Sequence, residues 1–195
     1  MSPPTFHLIA GPNGAGKTTF YEQWLRARTD AEFVNPDLLA RQALGRWSQS
    51  RKDAELGQEL AQARRQALMA SGQSLVMEST FSHPSKLDLV GEVLDAGHRL
   101  VVYHLSVADA DFAVERVADR VFLGGHPVPA ANIRARYERN GPLIRQAVLR
   151  AHFGYVFDNS ADGKPPRLLL SFAAGAPVKR AARLPSWAAE LYGRD

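Results

Sequence analysis

GPNGAGKT, residues 11–18, is a complete G-x-x-x-x-G-K-[ST] phosphate loop, and the fold is read outward from it. An apolar run, Phe6-His7-Leu8-Ile9-Ala10, precedes it, and a helical pattern from Thr18 to Arg28 follows. The motif therefore lies between a strand and a helix, the context its chemistry needs. Glycines at Gly11, Gly14 and Gly16 let backbone N–H groups curl around phosphate oxygens, with Asn13, Ala15 and Thr19 completing the cradle. Lys17 is expected to reach the β- and γ-phosphates, and Thr18 to ligate Mg²⁺. The loop points to ATP with Mg²⁺ and leaves open what receives the phosphate.

Apolar β-type runs alternate with helical patterns along the rest of the chain, the mark of a parallel sheet with crossover helices. Strands are predicted over 5–10, 32–35, 74–79, 99–107 and 155–159, with a sixth, antiparallel edge strand over 167–173. Helices are predicted over 50–71, 84–96, 108–122, 129–140 and 142–151, the last two separated at Asn140-Gly141, with a short one over 186–191. Gly124-Gly125-His126-Pro127 reads as a break shaped by His126, and 174–185 as a surface connection. The expected architecture is α/β, a three-layer P-loop NTPase sandwich. Its sheet is five-stranded and mainly parallel, with an edge strand, and an arginine-rich helical lid covers about 109–150. We expect one domain over 1–195.

Composition narrows the function classes. The chain has 195 residues, enough for one domain with a real core, and its 45% hydrophobic and 23% charged content is ordinary for a globular protein. It has no cysteine, which excludes disulfides and thiolate metal sites and fits a cytoplasmic setting. The N-terminus carries no basic leader region, and no apolar run reaches membrane-spanning length, so neither export nor membrane insertion is expected. The net charge of +4 comes mainly from arginine, since only five lysines are present. Without a Lys/Arg run, this suits phosphate handling better than nucleic-acid binding.

Three groups add chemistry to the loop. Asp37 directly follows the second strand, on the rim where ligands bind in parallel α/β sheets. It is either a base for an attacking hydroxyl or the N-cap of the Leu/Ala-rich turn behind it. Glu78 ends the third strand and is a Mg²⁺-shell residue, a substrate anchor or a buried structural acid; Thr80 and Ser82 follow in a polar loop. Arg116 and Arg120 share one helical face, and Arg134, Arg136 and Arg139 follow. They form either a lid over phosphates or a solvated face paired with Glu115, Asp119 and Glu138. Asn159, after the fifth strand, is a candidate for framing adenine. The histidines lack metal-ligand spacing; His83 is at most substrate-facing, and His7, His98, His104 and His152 read as structural.

Taken together, GPNGAGKTTF (11–20), FVNPDLLA (33–40), LVMESTFS (75–82), RVADRVFLGGHPVPAANIRARYERN (116–140) and YVFDNS (155–160) resemble the zeta-toxin family of phosphate-loop kinases. The resemblance is closest to a short bacterial branch often labelled ABC-type ATPase. That label does not suit the chain, because Phe122-Leu123-Gly124-Gly125-His126 is a poor match to an ABC signature. The resemblance implies a kinase acting on an alcohol group, that of a UDP-N-acetyl amino sugar, and a cognate antitoxin partner. It implies Asp37 as base, Lys17 on the phosphates, Glu78 and Thr80 on the sugar nucleotide, and two helical arginines on the phosphates. Arg116 and Arg120 match those arginines, with Arg136 a rival. Two departures stand out: zeta toxins proper are longer, and Ser82 stands where a basic residue often follows. A kinase for a nucleoside, antibiotic or other small alcohol stays open, as does a nucleotide-dependent interaction module that does not transfer phosphate.

Overall fold

The computed structural model describes residues 3–122 and 128–193. The strands are β1 (Thr5–Ala10), β2 (Glu32–Val34), β3 (Leu75–Ser79), β4 (Arg99–Ser106), β5 (Phe153–Asp158), β6 (Arg167–Ala173) and β7 (Ala176–Arg180). Among the described residues they form one sheet in the order β2-β3-β1-β4-β5-β6-β7. The first five are parallel, and β6 and β7 add antiparallel. Alternation within β1 shows why helices cover both faces. Phe6, Leu8 and Ala10 join one core with β3, β4 and residues such as Leu68, Leu89, Ile144 and Trp187, whereas Ile9 joins a second core with Phe20, Tyr21 and Leu25.

The helices are α1 (Lys17–Phe20), α2 (Pro36–Leu44), α3 (Arg51–Ala70), α4 (Ser85–Asp95), α5 (Ala110–Phe122), α6 (Ala130–Arg150) and α7 (Ser186–Tyr192). Helix α1 continues as a π turn over Tyr21–Leu25 and a 3-10 turn over Arg26–Arg28. Two expectations are corrected. Residues 130–150 are one helix, not two, running through Asn140-Gly141-Pro142. The reason is tertiary: a Cβ at Gly141 would lie 2.9 Å from Leu191 Cδ1, so the glycine is where α7 packs, and Ile144, Ala147 and Val148 anchor the next turns in the main core. The far half of α6 is thus a core layer rather than a lid. Within 174–185, Ala176–Arg180 forms β7, so β6 is not the edge. All five β7 residues are exposed, and Pro177, Lys179 and Arg180 are the residues that protect a sheet edge from further pairing. The Gly124–Pro127 break, with His126, lies outside the described residues.

Strand register sets the functional rim. Ile9 pairs with Glu78 and Ala10 with Ser79, so the loop after β1 and the end of β3 are neighbours. Val34 pairs with Met77, which brings the start of α2 beside Glu78. Helix α2 is braced from behind by α3: a Cβ on Gly57 would meet Pro36 O at 2.5 Å and Ala40 Cβ at 3.0 Å. Alanine normally favours a helix over glycine by about 1 kcal/mol, but overpacking against a rigid backbone costs about 1–3 kcal/mol. Gly57→Ala should therefore destabilise the protein by about 1–2 kcal/mol in urea unfolding. A more stable variant would show that α2 does not pack as described.

Candidate functional site

The phosphate loop is held open by its own backbone and by a strut from β5. Gly14 and Gly16 adopt φ of 77° and 81°, where a side chain would be strained. Asn159 N–H donates to Ser106 O at 2.8 Å, and its side-chain Nδ2 donates to Ala15 O at 2.9 Å. Asn159 therefore spends its amide on the loop, which departs from the expected adenine contact. Lys17 Nζ folds back over the loop, donating to Gly11 O at 2.9 Å and Pro12 O at 2.8 Å. Burial lowers its pKa to about 8. Glu78 and the weaker field of Asp37 act to raise it, and Arg120 and Arg136 to lower it further. These influences mean that Lys17, Glu78, Asp37, Arg120 and Arg136 share one electrostatic neighbourhood.

Glu78 is the hub of that neighbourhood. Thr18 Oγ1 donates to its two carboxylate oxygens at 3.2 and 3.0 Å. Asn35 Nδ2 donates to Oε1 at 2.6 Å. The buried Asn35 also caps α2, its Oδ1 accepting from Leu38 N at 3.1 Å, with Pro36 at the first helical position. The N-cap alternative for Asp37 is thereby corrected: Asn35 is the cap. Asp37 lies in the first turn, exposed, with no hydrogen bond or ion pair among the described residues. Asn35 escaped the sequence reading, although Asn followed by Pro ahead of an apolar turn is a cap signature.

Thr18 and Glu78 supply hard oxygen donors side by side. No group of three or more His, Asp or Glu among the described residues could cage a metal. The Thr18–Glu78 pair is the kind of donor set that Mg²⁺ uses, since that ion takes one or two protein oxygens and fills its remaining positions with phosphate and water. Thr19 is exposed on α1.

The arginines divide by partner. Arg136 Nη1 donates to Asn13 Oδ1 of the loop at 3.3 Å. Arg116 instead donates to Asp162 Oδ1 at 2.7 and 3.2 Å and to Asn159 O at 2.7 Å, and it stacks over Phe112. It ties α5 to the segment that struts the loop. Arg134 pairs with Asp111, and Arg139 is exposed. The arginines acting on Lys17 are thus Arg120 and Arg136 rather than Arg116 and Arg120.

On the same rim, directly after β3, Thr80 Oγ1 and Ser82 Oγ lie 3.5 Å apart. Between them, wholly buried Phe81 takes a left-handed backbone (φ 52°), a strain of about 1–3 kcal/mol that core packing must offset. His83 does not reach into the site: its Nδ1 accepts from Ser85 N and shares a hydrogen bond with Ser85 Oγ at the start of α4. His7, His98, His104 and His152 bond to Tyr103, Gln73, Tyr192 and Leu100 within the fold.

Comparison with known proteins bears on the family and the fold. A family model described as an AAA domain matches residues 6–159. No curated protein matches the chain. A chain of the AvrRxo1-ORF1:-ORF2 complex with ATP is similar over 90% of this chain and 60% of that one, at 18% identity and TM-score 0.67. A chain of the PezAT chromosomal toxin–antitoxin system of Streptococcus pneumoniae is similar over 82% and 69%, at 13% identity and TM-score 0.60. A candidate kinase from Chloroflexus aurantiacus is similar over 70% and 78%, at 25% identity and TM-score 0.54. The present chain spans only about 60% of the AvrRxo1 complex chain's length. The fold is that of P-loop kinase-like proteins, with the nucleotide-binding loop such proteins carry.

The Lys17 environment predicts how nucleotide binding responds to pH. Its free-state pKa is about 8, and bound phosphate raises it, so above pH 8 binding must take up a proton. ATP affinity should hold below that point and weaken by up to about tenfold per pH unit above it. Titration calorimetry from about pH 7 to about pH 9.5 checks this, with Lys17→Met binding weakly and lacking the step. A flat wild-type profile would contradict it.

Proposed function

Because the chain belongs to the AAA-domain family of phosphate-loop proteins, we propose that it is an ATP- and Mg²⁺-dependent kinase that phosphorylates a hydroxyl of a small molecule. The observation that carries this reading is the Thr18–Glu78–Asn35 chain of hydrogen bonds. It joins the phosphate loop to the cap of α2, whose first turn carries an exposed carboxylate, Asp37, that makes no hydrogen bond or ion pair among the described residues. A nucleotide-dependent interaction module needs no such acid on the far side of the phosphates.

In this reading Asp37 accepts the proton of the acceptor hydroxyl as its oxygen bonds to the γ-phosphorus and the bond to ADP breaks. Lys17 exchanges the carbonyls of Gly11 and Pro12 for phosphate oxygens. Arg120 and Arg136 supply further positive charge over the transferring group. Thr18 and Glu78 would hold Mg²⁺, whose charge would offset that of the phosphates. Asn159 and Arg116 position the loop, and Thr80 and Ser82 face the acceptor.

A UDP-N-acetyl amino sugar is the acceptor we favour. The resemblance of residues 11–20, 33–40, 75–82 and 116–140 to zeta toxins supports it, as does the fold likeness to the PezAT toxin–antitoxin chain. The same likeness supports a cognate antitoxin as protein partner. No helix among the described residues is long and apolar enough to cross a membrane. Separately, a chain without cysteine suits a reducing compartment, and we place a single kinase domain in the cytoplasm on that ground.

Asp37→Asn should lower phosphoryl transfer by about 10²–10⁴-fold while leaving ATP affinity within a few-fold of wild type. Mass spectrometry of ATP reactions with a panel of hydroxyl acceptors, UDP-N-acetylglucosamine included, provides the assay. Growth arrest on expression, relieved by both Asp37→Asn and Lys17→Ala, is the cellular counterpart. Full turnover by Asp37→Asn on the acceptor so found would remove Asp37 as the base.

A further inference from the structure

A cavity of about 230 Å³ opens between α3 and α4, beside the acceptor rim. Two of its lining residues, Pro36 and Met77, immediately precede Asp37 and Glu78 in the chain. Its polar wall carries two cations, Arg65 and Lys86, against one carboxylate, the exposed Glu92.

Both cations are half-buried, and neither makes a hydrogen bond or an ion pair among the described residues. The Nε of Arg65 is fully buried with no partner. The neighbouring helix position gives the contrast. Arg64, more exposed, makes a two-pronged pair with Glu32 at 2.7 and 2.5 Å. Burial disfavours the charge on both Arg65 and Lys86. Arg65 disfavours it further on Lys86, and Glu92 only partly compensates Arg65. A half-buried guanidinium and ammonium facing a single exposed carboxylate leave one cleft with excess positive charge, which is costly unless a further anion bridges them. An oxyanion would supply that charge, and a guanidinium beside an ammonium suits a carboxylate or a phosphate.

We propose that the α3–α4 cavity is an oxyanion-binding subsite that anchors the acceptor by a carboxylate or phosphate it already carries, leaving its hydroxyl on the Asp37 side. The anchoring of an acceptor rests on the kinase reading; the binding of an oxyanion does not.

The test fills the phosphate loop with Mg²⁺ and a non-hydrolysable ATP analogue, then titrates malonate and, separately, inorganic phosphate. The methyl signal of Met77, in methionine-labelled full-length protein, reports on the cavity. A saturable shift is expected with at least one probe, and the tighter probe identifies the group recognised. Arg65→Gln/Lys86→Gln should weaken that binding at least about tenfold while keeping ATP affinity. Glu92→Gln should tighten it, which decides the matter should the double variant fail to fold. No saturable shift in wild type, equal binding by a folded double variant, or weaker binding by Glu92→Gln would overturn the proposal. Absence of any phosphoryl transfer would count against the kinase reading while leaving the binding result intact.

Discussion

The carboxylate of Glu78 receives a hydroxyl hydrogen bond from Thr18 on one side and a 2.6 Å amide hydrogen bond from Asn35 on the other. It can do so because β3 lies between β1 and β2, with Ile9 and Val34 in register with Glu78 and Met77. Charge-assisted bonds of this kind are roughly twice as strong as neutral ones. They hold in one place the start of the first crossover helix and the start of α2. Asn35 is used twice, once on Glu78 and once as the cap of α2, so the orientation of that helix is tied to the phosphate loop.

A second set of contacts supports the loop from the opposite side. Asn159 donates to Ala15 O, and Arg116 donates to Asn159 O while pairing with Asp162. Helix α5 is thereby linked to the loop through β5. Arg136, on α6, reaches Asn13 directly. The basic helices thus touch the donor site at defined points. They leave Arg134 and Arg139 outside it, one paired with Asp111 and the other exposed.

How much of this was legible beforehand follows from the range of the interactions. The phosphate loop, the five parallel strands and the rim position of Asp37 rest on local pattern, and local pattern sufficed. Asn140-Gly141-Pro142 reads locally as a break. The helix continues because Gly141 receives Leu191 from a helix about fifty residues later, as its 2.9 Å clearance shows. Strand β7 has no buried residue, hence no alternation to detect. In the sequence Arg116 and Arg120 are equivalent, sharing one helical face. The partner of Arg116, Asp162, is 46 residues away, and nothing in the sequence marks that pairing. Arg65 reads as one more surface arginine until the opposing helix is seen to bury its Nε without a hydrogen-bond partner among the described residues.

In the proposed function, Thr18 and Glu78 would form the metal-bearing junction between a nucleotide site and an acceptor site. The most direct measurement is the affinity of the protein–ATP complex for Mn²⁺, a Mg²⁺ surrogate, by electron paramagnetic resonance in wild type and in Glu78→Gln. At least about tenfold weaker Mn²⁺ binding is expected in the variant, since even an outer partner of a metal ligand commonly carries that much. Unchanged Mn²⁺ affinity in a folded, ATP-binding Glu78→Gln protein would contradict it.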